Sequence, residues 1–160
     1  MKIRSADKND IAAIRKLALK IWKDTYVPIV GKEQVDFMLD EIYSQKALED
    51  QFKNEQKFLL IFDEDEPSGF SSYLRLSQTR YKIPKLYVDT NKHGKGLGKA
   101  LLDEVFKRVK NLGGDTVELN VNRHNKARWF YEKYGFKIIR EEDLPIGKYW
   151  MNDYVMEKSV

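Results

Sequence analysis

Cysteine is missing from all 160 positions of this chain. Disulfides, thiolate nucleophiles and thiolate metal sites are excluded, and no acyl group can be parked on sulfur. Histidine occurs only at His93 and His124. With no clustered ligand spacing around them, no metal site is expected. No serine sits in a nucleophile-elbow pattern. Apolar runs are far too short to span a bilayer, and the start Met1-Lys2-Ile3-Arg4 turns polar at once, unlike a secretory leader. The expectation is a cytoplasmic protein without a membrane partner. A long basic tract is also absent. Lys and Arg exceed Asp and Glu by only 29 to 25, a net +4, and Asp63-Glu64-Asp65-Glu66 interrupts the positive surface, so no nucleic-acid partner is expected.

What is present suits a folded chain. Its apolar share is 42%, and its length fits a single domain over residues 1–160. Ile3 opens an early strand. Asp7 to Asp10 offers a cap for a helix carrying Ile11, Ile14, Leu17, Ala18 and Ile21 at helical spacing, broken by Pro28 and Gly31. A second helix is expected over Lys32 to Ile42, and Ser44 caps a third through Phe52. Lys57 to Phe62 and Gly69 to Leu76 read as strands around a turn made by the acidic cluster and Pro67. Pro84 marks the entry to a strand over Lys85 to Val88. A helix from about Gly96 to Leu112 follows, stopped by Gly113-Gly114. Val117 to Val121 is a strand, Ala127 to Tyr134 a helix, and Phe136 to Ile139 and Asn152 to Met156 are closing strands joined by a loop with Pro145 and Gly147. The order implies an α/β (mixed α+β) sheet with antiparallel hairpins at its ends and a crossover helix between.

The densest signal is His93-Gly94-Lys95-Gly96-Leu97-Gly98, between the apolar Leu86-Tyr87-Val88 and a helix start. Closely spaced glycines let backbone N–H groups approach an anion, and the helix N-terminus adds favourable partial charge. Neither nucleotide fingerprint fits. The triphosphate loop needs a Ser or Thr after Gly-Lys, where Ala100 follows Lys99. The dinucleotide loop needs Gly-x-Gly-x-x-Gly in the first βαβ unit.

The loop instead resembles the acyl-coenzyme A loop of the GNAT superfamily of N-acetyltransferases, Arg/Gln-x-x-Gly-x-Gly/Ala, with His93 where Arg or Gln is usual. A second segment, Ala127-Arg128-Trp129-Phe130-Tyr131-Glu132-Lys133-Tyr134-Gly135-Phe136, is similar to that superfamily's second cofactor segment. The usual Asn falls at His124, and which of Asn122, His124 and Asn125 takes its role stays open. The resemblance implies a mostly antiparallel twisted sheet with a parallel strand pair splayed at the cofactor, flanked by helices.

The same resemblance implies acetyl-coenzyme A as cofactor. Backbone groups of Leu86, Tyr87 and Val88 would meet its arm, and the amides from His93 through Gly98 its pyrophosphate. Lys95, Lys99, Asn122, Asn125 and Lys133 stand nearby. Tyr131 aligns with a proton donor to the leaving thiolate, and the Val88 N–H with the thioester oxygen. No carboxylate stands in Tyr81-Lys82-Ile83-Pro84-Lys85, where relatives often carry a base, so His124 or a water chain is the candidate base.

Trp22, Tyr26, Tyr73 and Tyr149 are candidate acceptor contacts, attractive to a cationic amine. The opening Ile21-Trp22-Lys23-Asp24-Thr25-Tyr26 and the ending Met151-Asn152-Asp153-Tyr154-Val155-Met156 look similar to acetyltransferases that accept polyamines or other small amines. Direct N-acetylation of a small primary amine is the expected activity. Its rivals are a protein or peptide acceptor and a non-catalytic acyl-coenzyme A sensor. Edge strands near the C-terminus leave a homodimer open.

Overall fold

The computed structural model describes residues 1–160. Twelve elements follow one another: β1 (Lys2–Ala6), α1 (Ile11–Val30), α2 (Lys32–Tyr43), α3 (Gln45–Lys53), β2 (Lys57–Asp63), β3 (Glu66–Arg75), β4 (Arg80–Val88), α4 (Leu97–Asn111), β5 (Thr116–Asn122), α5 (Ala127–Tyr134), β6 (Lys137–Ile146) and β7 (Tyr149–Ser159). The strands form one seven-stranded sheet in the order β1-β2-β3-β4-β5-β7-β6. Only β4 and β5 run parallel, joined by the crossover through α4.

Strand alternation gives each sheet face its own core. On one side Leu59, Ile61, Ile83, Val88, Leu119 and Val121 pack with Leu97, Leu101, Val105 and Val109 of α4 and with Tyr131 of α5. On the other, Phe58, Leu60 and Phe70 pack with Ile11, Ile14, Leu17, Ile21 and Trp22 of α1 and with Val35, Met38 and Leu48. Each fully buried Leu, Ile or Phe contributes about 1.5–3 kcal/mol, so both helical layers are held firmly against the sheet.

Several boundaries differ from the sequence expectation for local reasons. Pro28 lies inside α1 rather than ending it. It removes one hydrogen bond, the N–H that would reach the Asp24 carbonyl, and it does so in the last turns where the loss is tolerated. The stop is Gly31, at φ 87°, whose N–H bonds the Val27 carbonyl at 2.9 Å. The β2–β3 turn is Glu64-Asp65, both at positive φ, and Pro67 already belongs to β3. β6 and β7 form a far longer hairpin than expected, turning at Gly147-Lys148. Charged residues fill the β6 face because it is exposed, so the apolar signal of a strand is absent there.

The difference at Pro84 positions the site. β4 begins at Arg80, so Pro84 sits in mid-strand. The parallel pairing of β4 with β5 stops at Ile83↔Leu119, one residue earlier. The register with β3 also shifts beside it, from Leu74↔Lys82 to Ser72↔Lys85. Proline has no N–H for the ladder, and beyond it β4 and β5 part.

Candidate functional site

The splay opens at the start of α4. Gly96 stands at φ 80° as the N-cap of α4, and no side chain caps the helix. The first ladder bond runs from the Ala100 N–H to the Gly96 carbonyl at 3.0 Å. The amides of Leu97, Gly98 and Lys99 are therefore left for a ligand. Gly94 is also left-handed, at φ 84°, and a Cβ at either glycine would meet nothing within 4 Å. The constraint there is backbone conformation, not space.

Loop and strand are tied together. His93 Nε2 donates to the Val88 carbonyl at 3.0 Å, because a carbonyl oxygen can only accept. The ring that replaces the family's Arg or Gln is thus committed to the end of β4 through this nitrogen. Asp89 pairs with Lys20 of α1, and Thr90 donates to Asp24 of α1 at 2.7 Å. Lys92 bonds Ser68 Oγ at 2.8 Å and Glu66 at 3.2 Å. Lys95 pairs with Asp63 at 3.3 Å and Lys99 with Asp103 at 2.9 Å.

The end of β4 supplies free backbone. The Asp89 N–H bonds the Ser68 carbonyl at 2.8 Å, and an antiparallel ladder alternates. Tyr87 therefore spends its polar groups on Phe70 of β3, while Leu86 and Val88 turn theirs toward the gap left by β5. This corrects one expectation: Tyr87 offers its side chain, not its backbone. A cavity of about 570 Å³ fills the gap, lined by Leu86, Tyr87, Val88, the glycine loop, Asn125 and Tyr131.

Tyr131 is buried against Phe130 and Phe136, with ring centroids 5.3 and 5.7 Å away. Burial, reinforced by nearby Tyr26, pushes its phenol well above the usual range, and no hydrogen bond engages its hydroxyl. A protonated phenol without a partner therefore lines the larger cavity. Asn125 accepts from the Ala127 N–H at 2.9 Å, which caps α5, and donates to the Tyr26 hydroxyl at 3.3 Å.

A second, smaller cavity of about 180 Å³ lies on the α1–α2 side and shares Tyr26, Ile83, Pro84, Tyr87 and Asn120 with the first. Trp22, Tyr43, Lys82, Lys85, Asn122 and Asp153 also line it. Trp22 Nε1 and Tyr43 Oη are buried without a hydrogen-bond partner, which a native interior seldom tolerates unless a ligand or water answers them. Asp153 of β7 accepts from Asn120 Nδ2 at 3.2 Å, and burial raises its carboxyl above the usual range. Lys85 donates to the amide oxygens of Gln51 at 2.6 Å and Gln56 at 3.0 Å. Its burial and the charge of Lys82 lower its ammonium to about 7. The outer wall is formed where α2 meets the β6–β7 hairpin. Gln34 donates to the Trp150 carbonyl at 3.0 Å, and Lys148 pairs with Glu33 at 3.0 Å.

The expected site residues divide accordingly. Every expected cofactor residue lines the larger cavity except Lys95, Asn122 and Lys133. Lys95 turns to Asp63, Asn122 lines the smaller cavity, and Lys133 is exposed on α5. His124 is a correction. It is exposed, its own N–H is bonded to Asn122 Oδ1 at 2.8 Å, and its ring lines neither cavity.

Among the expected acceptor contacts, Trp22 and Tyr26 line the smaller cavity. Tyr73 faces a separate groove beside Ser5 and Phe58, because alternation along β3 puts it on the α4 side of the sheet with Leu59 and Ile61, opposite to Phe70. Tyr149 packs on Phe37, centroids 5.4 Å apart, and serves the closing contact instead. Glu118 is locked to Arg80 at 2.7 Å. The residues missed were Asn120, Lys82, Lys85 and Asp153. The one signal in the sequence was an isolated carboxylate in the otherwise apolar Tyr154-Val155-Met156 strand.

Coenzyme A needs a cradle for its pyrophosphate and polar backbone for its amide-bearing arm. The uncapped amides of α4, the unpaired groups of Leu86 and the Val88 N–H fit both needs. Comparison with known proteins agrees. Residues 26–157 match the acetyltransferase (GNAT) domain family. A spermidine N(1)-acetyltransferase of Thermoplasma acidophilum is 28% identical over 99% of this chain and 97% of its own. A peptidyl-lysine N-acetyltransferase of Salmonella typhimurium is 32% identical over 57% of each. Among solved structures, the PaiA N-acetyltransferase of Thermoplasma acidophilum in complex with coenzyme A superposes with a TM-score of 0.84, at 29% identity, covering 99% of this chain and 98% of that one.

Proposed function

Since the chain belongs to the GNAT acetyltransferase family and is an acetyl-coenzyme A-dependent acyltransferase, we propose that it acetylates a primary amine of a small molecule directly, polyamines being the first class to try. The observation that carries this reading is the meeting of two unlike cavities at one strand splay. One offers backbone amides suited to phosphate and to an amide-bearing arm. The other is small, bordered on its outer side by α2 and the β6–β7 hairpin, and holds a buried carboxylate. A cavity of about 180 Å³ suits an amine better than a protein loop. The name of the spermidine-acetylating relative supports the same choice.

Bound acetyl-coenzyme A supplies an activated acetyl group and a thiol leaving group. The N-terminal amides of α4 hold its diphosphate, and Leu86 and Val88 align its arm. The Val88 N–H, turned from β3, donates to the acyl oxygen, where charge develops. Tyr131 keeps its proton at neutral pH and gives it to the departing sulfur. With no cysteine in the chain, the amine attacks within a ternary complex.

The test is a thiol-release assay with acetyl-coenzyme A against spermidine, putrescine, simple monoamines, aminoglycosides, amino acids and lysine peptides. Turnover is expected with at least one small amine and not with the peptides. Activity confined to peptides overturns the reading.

A further inference from the structure

We propose that Asp153 is the residue that receives the acceptor amine and takes its proton. This deepens the small-amine reading and rests on it. Of the charged side chains lining the acceptor cavity, Lys82, Lys85 and Asp153, only Asp153 carries the negative charge that attracts an ammonium, and Lys85, although lowered to about 7, directs its nitrogen to Gln51 and Gln56. Its residue is 7% exposed, yet its carboxylate is not used up. Asn120 takes Oδ2 at 3.2 Å, while Oδ1 has no protein partner and is not sealed from the cavity.

The groups around it leave it this role. Lys82 faces it from β4, Arg123 from the loop after β5, Glu142 from β6, and Tyr26 from α1. Arg123 is engaged by Glu141 at 2.9 Å and by Asp143. Asn120, which bonds Asp153 at 3.2 Å, lines both cavities, so Asp153 stands one side chain from the place where they join. The other conceivable bases are removed: Glu118 by Arg80, Lys85 by Gln51 and Gln56, His124 by its outward position. Desolvation, aided by Glu142, raises the Asp153 carboxyl against the opposing pull of Asn120, Lys82 and Arg123. That makes it a better proton acceptor than a solvated aspartate.

The ammonium gives one proton to the carboxylate, and the nitrogen lone pair forms the N–C bond as the C–S bond breaks. Tyr131 protonates the sulfur and recovers the second nitrogen proton. Ammonium and thioester thus yield amide, thiol and one proton, which leaves from Asp153 to solvent.

The experiment compares the parent with Asp153→Asn and Asp153→Glu. Asp153→Asn should lower kcat/KM for the best amine about 100-fold, abolish the acidic limb of its pH profile and leave coenzyme A affinity unchanged. Asp153→Glu should restore part of the loss. A second readout needs no turnover. The carboxyl carbon resonance of Asp153, assigned by its absence in Asp153→Asn, should titrate above ordinary aspartates and move to lower pH when spermidine, putrescine or propylamine is added. Retained kcat/KM, a retained acidic limb, or a parallel loss of coenzyme A affinity overturns the proposal. So does a resonance indifferent to all three amines. A responsive resonance with no small amine turned over would sink the function reading and leave the assignment of Asp153 standing.

Discussion

The cofactor half and the acceptor half of this cleft are built from different materials. The cofactor half is mostly backbone: the uncapped amides at Leu97 to Lys99, the left-handed Gly94 and Gly96, the unpaired groups of Leu86, and the Val88 N–H. The acceptor half is side chains drawn from distant parts of the chain: Trp22, Tyr43, Lys85, Asn120 and Asp153. A backbone site tolerates change wherever φ and ψ are kept. A side-chain site is redefined by single substitutions. The contrast teaches why one fold can keep one cofactor while its acceptor varies.

The sharpest way to test the division is at Tyr131, which lines the cofactor half alone. Tyr131→Phe keeps the ring packing on Phe130 and Phe136 and removes only the hydroxyl. Turnover should fall about 100-fold, with coenzyme A affinity and amine KM little changed. Steady-state kinetics paired with calorimetry separate these terms, and a variant as fast as the parent removes the proton-donor role.

Within the cofactor half, Gly96→Val should act through backbone alone. Its Cβ meets no atom within 4 Å, yet a β-branched residue at φ 80° costs about 1–2 kcal/mol. Relaxing that strain would rotate the amides away from the cradle. Coenzyme A affinity should drop about 30-fold by calorimetry, in a protein that still melts cooperatively. Unchanged affinity would mean the diphosphate is held elsewhere.

The acceptor half should respond in the opposite pattern. Trp22→Phe keeps an aromatic ring and deletes the indole N–H that lacks a partner. Amine KM should rise by up to about tenfold, while coenzyme A affinity stays put. If neither moves, the indole only packs, and the acceptor is held by other groups.

The same division explains what was legible in the sequence. Gly94, Gly96 and Gly98 announce themselves because only backbone conformation and close approach require that spacing, and this can be read locally. Tyr131 follows from its place in a segment shared with a family. The acceptor cavity has no local signature. Asp153 gains its meaning from pairing opposite Asn122 across β5 and β7 and from contact with Asn120. Those relations exist only once the crossover has formed. Tyr73 misleads for a simpler reason: three residues on from Phe70, strand alternation gives it the opposite sheet face, and aromatic composition carries no trace of that.

The smallest expected effect concerns stability and sharpens the contrast at Lys85. Its ammonium is lowered to about 7 by burial and by Lys82, whereas an unfolded lysine titrates near 10.4. Between those pH values the unfolded chain carries a proton that the native chain lacks, so stability rises with pH from about 7 and is lost as pH falls back toward 7. Below that range both states are protonated and this contribution is flat. Lys85→Met keeps the volume and removes the titration. Unfolding free energies from urea titrations at pH 7 and pH 8 should therefore differ by about 1 kcal/mol more in the parent than in the variant. The difference between the two proteins cancels every other titrating group. Parallel curves would show that Lys85 stays charged inside the fold, held by Gln51 and Gln56 strongly enough to offset its burial. The acceptor cavity would then present a full positive charge on its α3 side and select against a second cation on the amine.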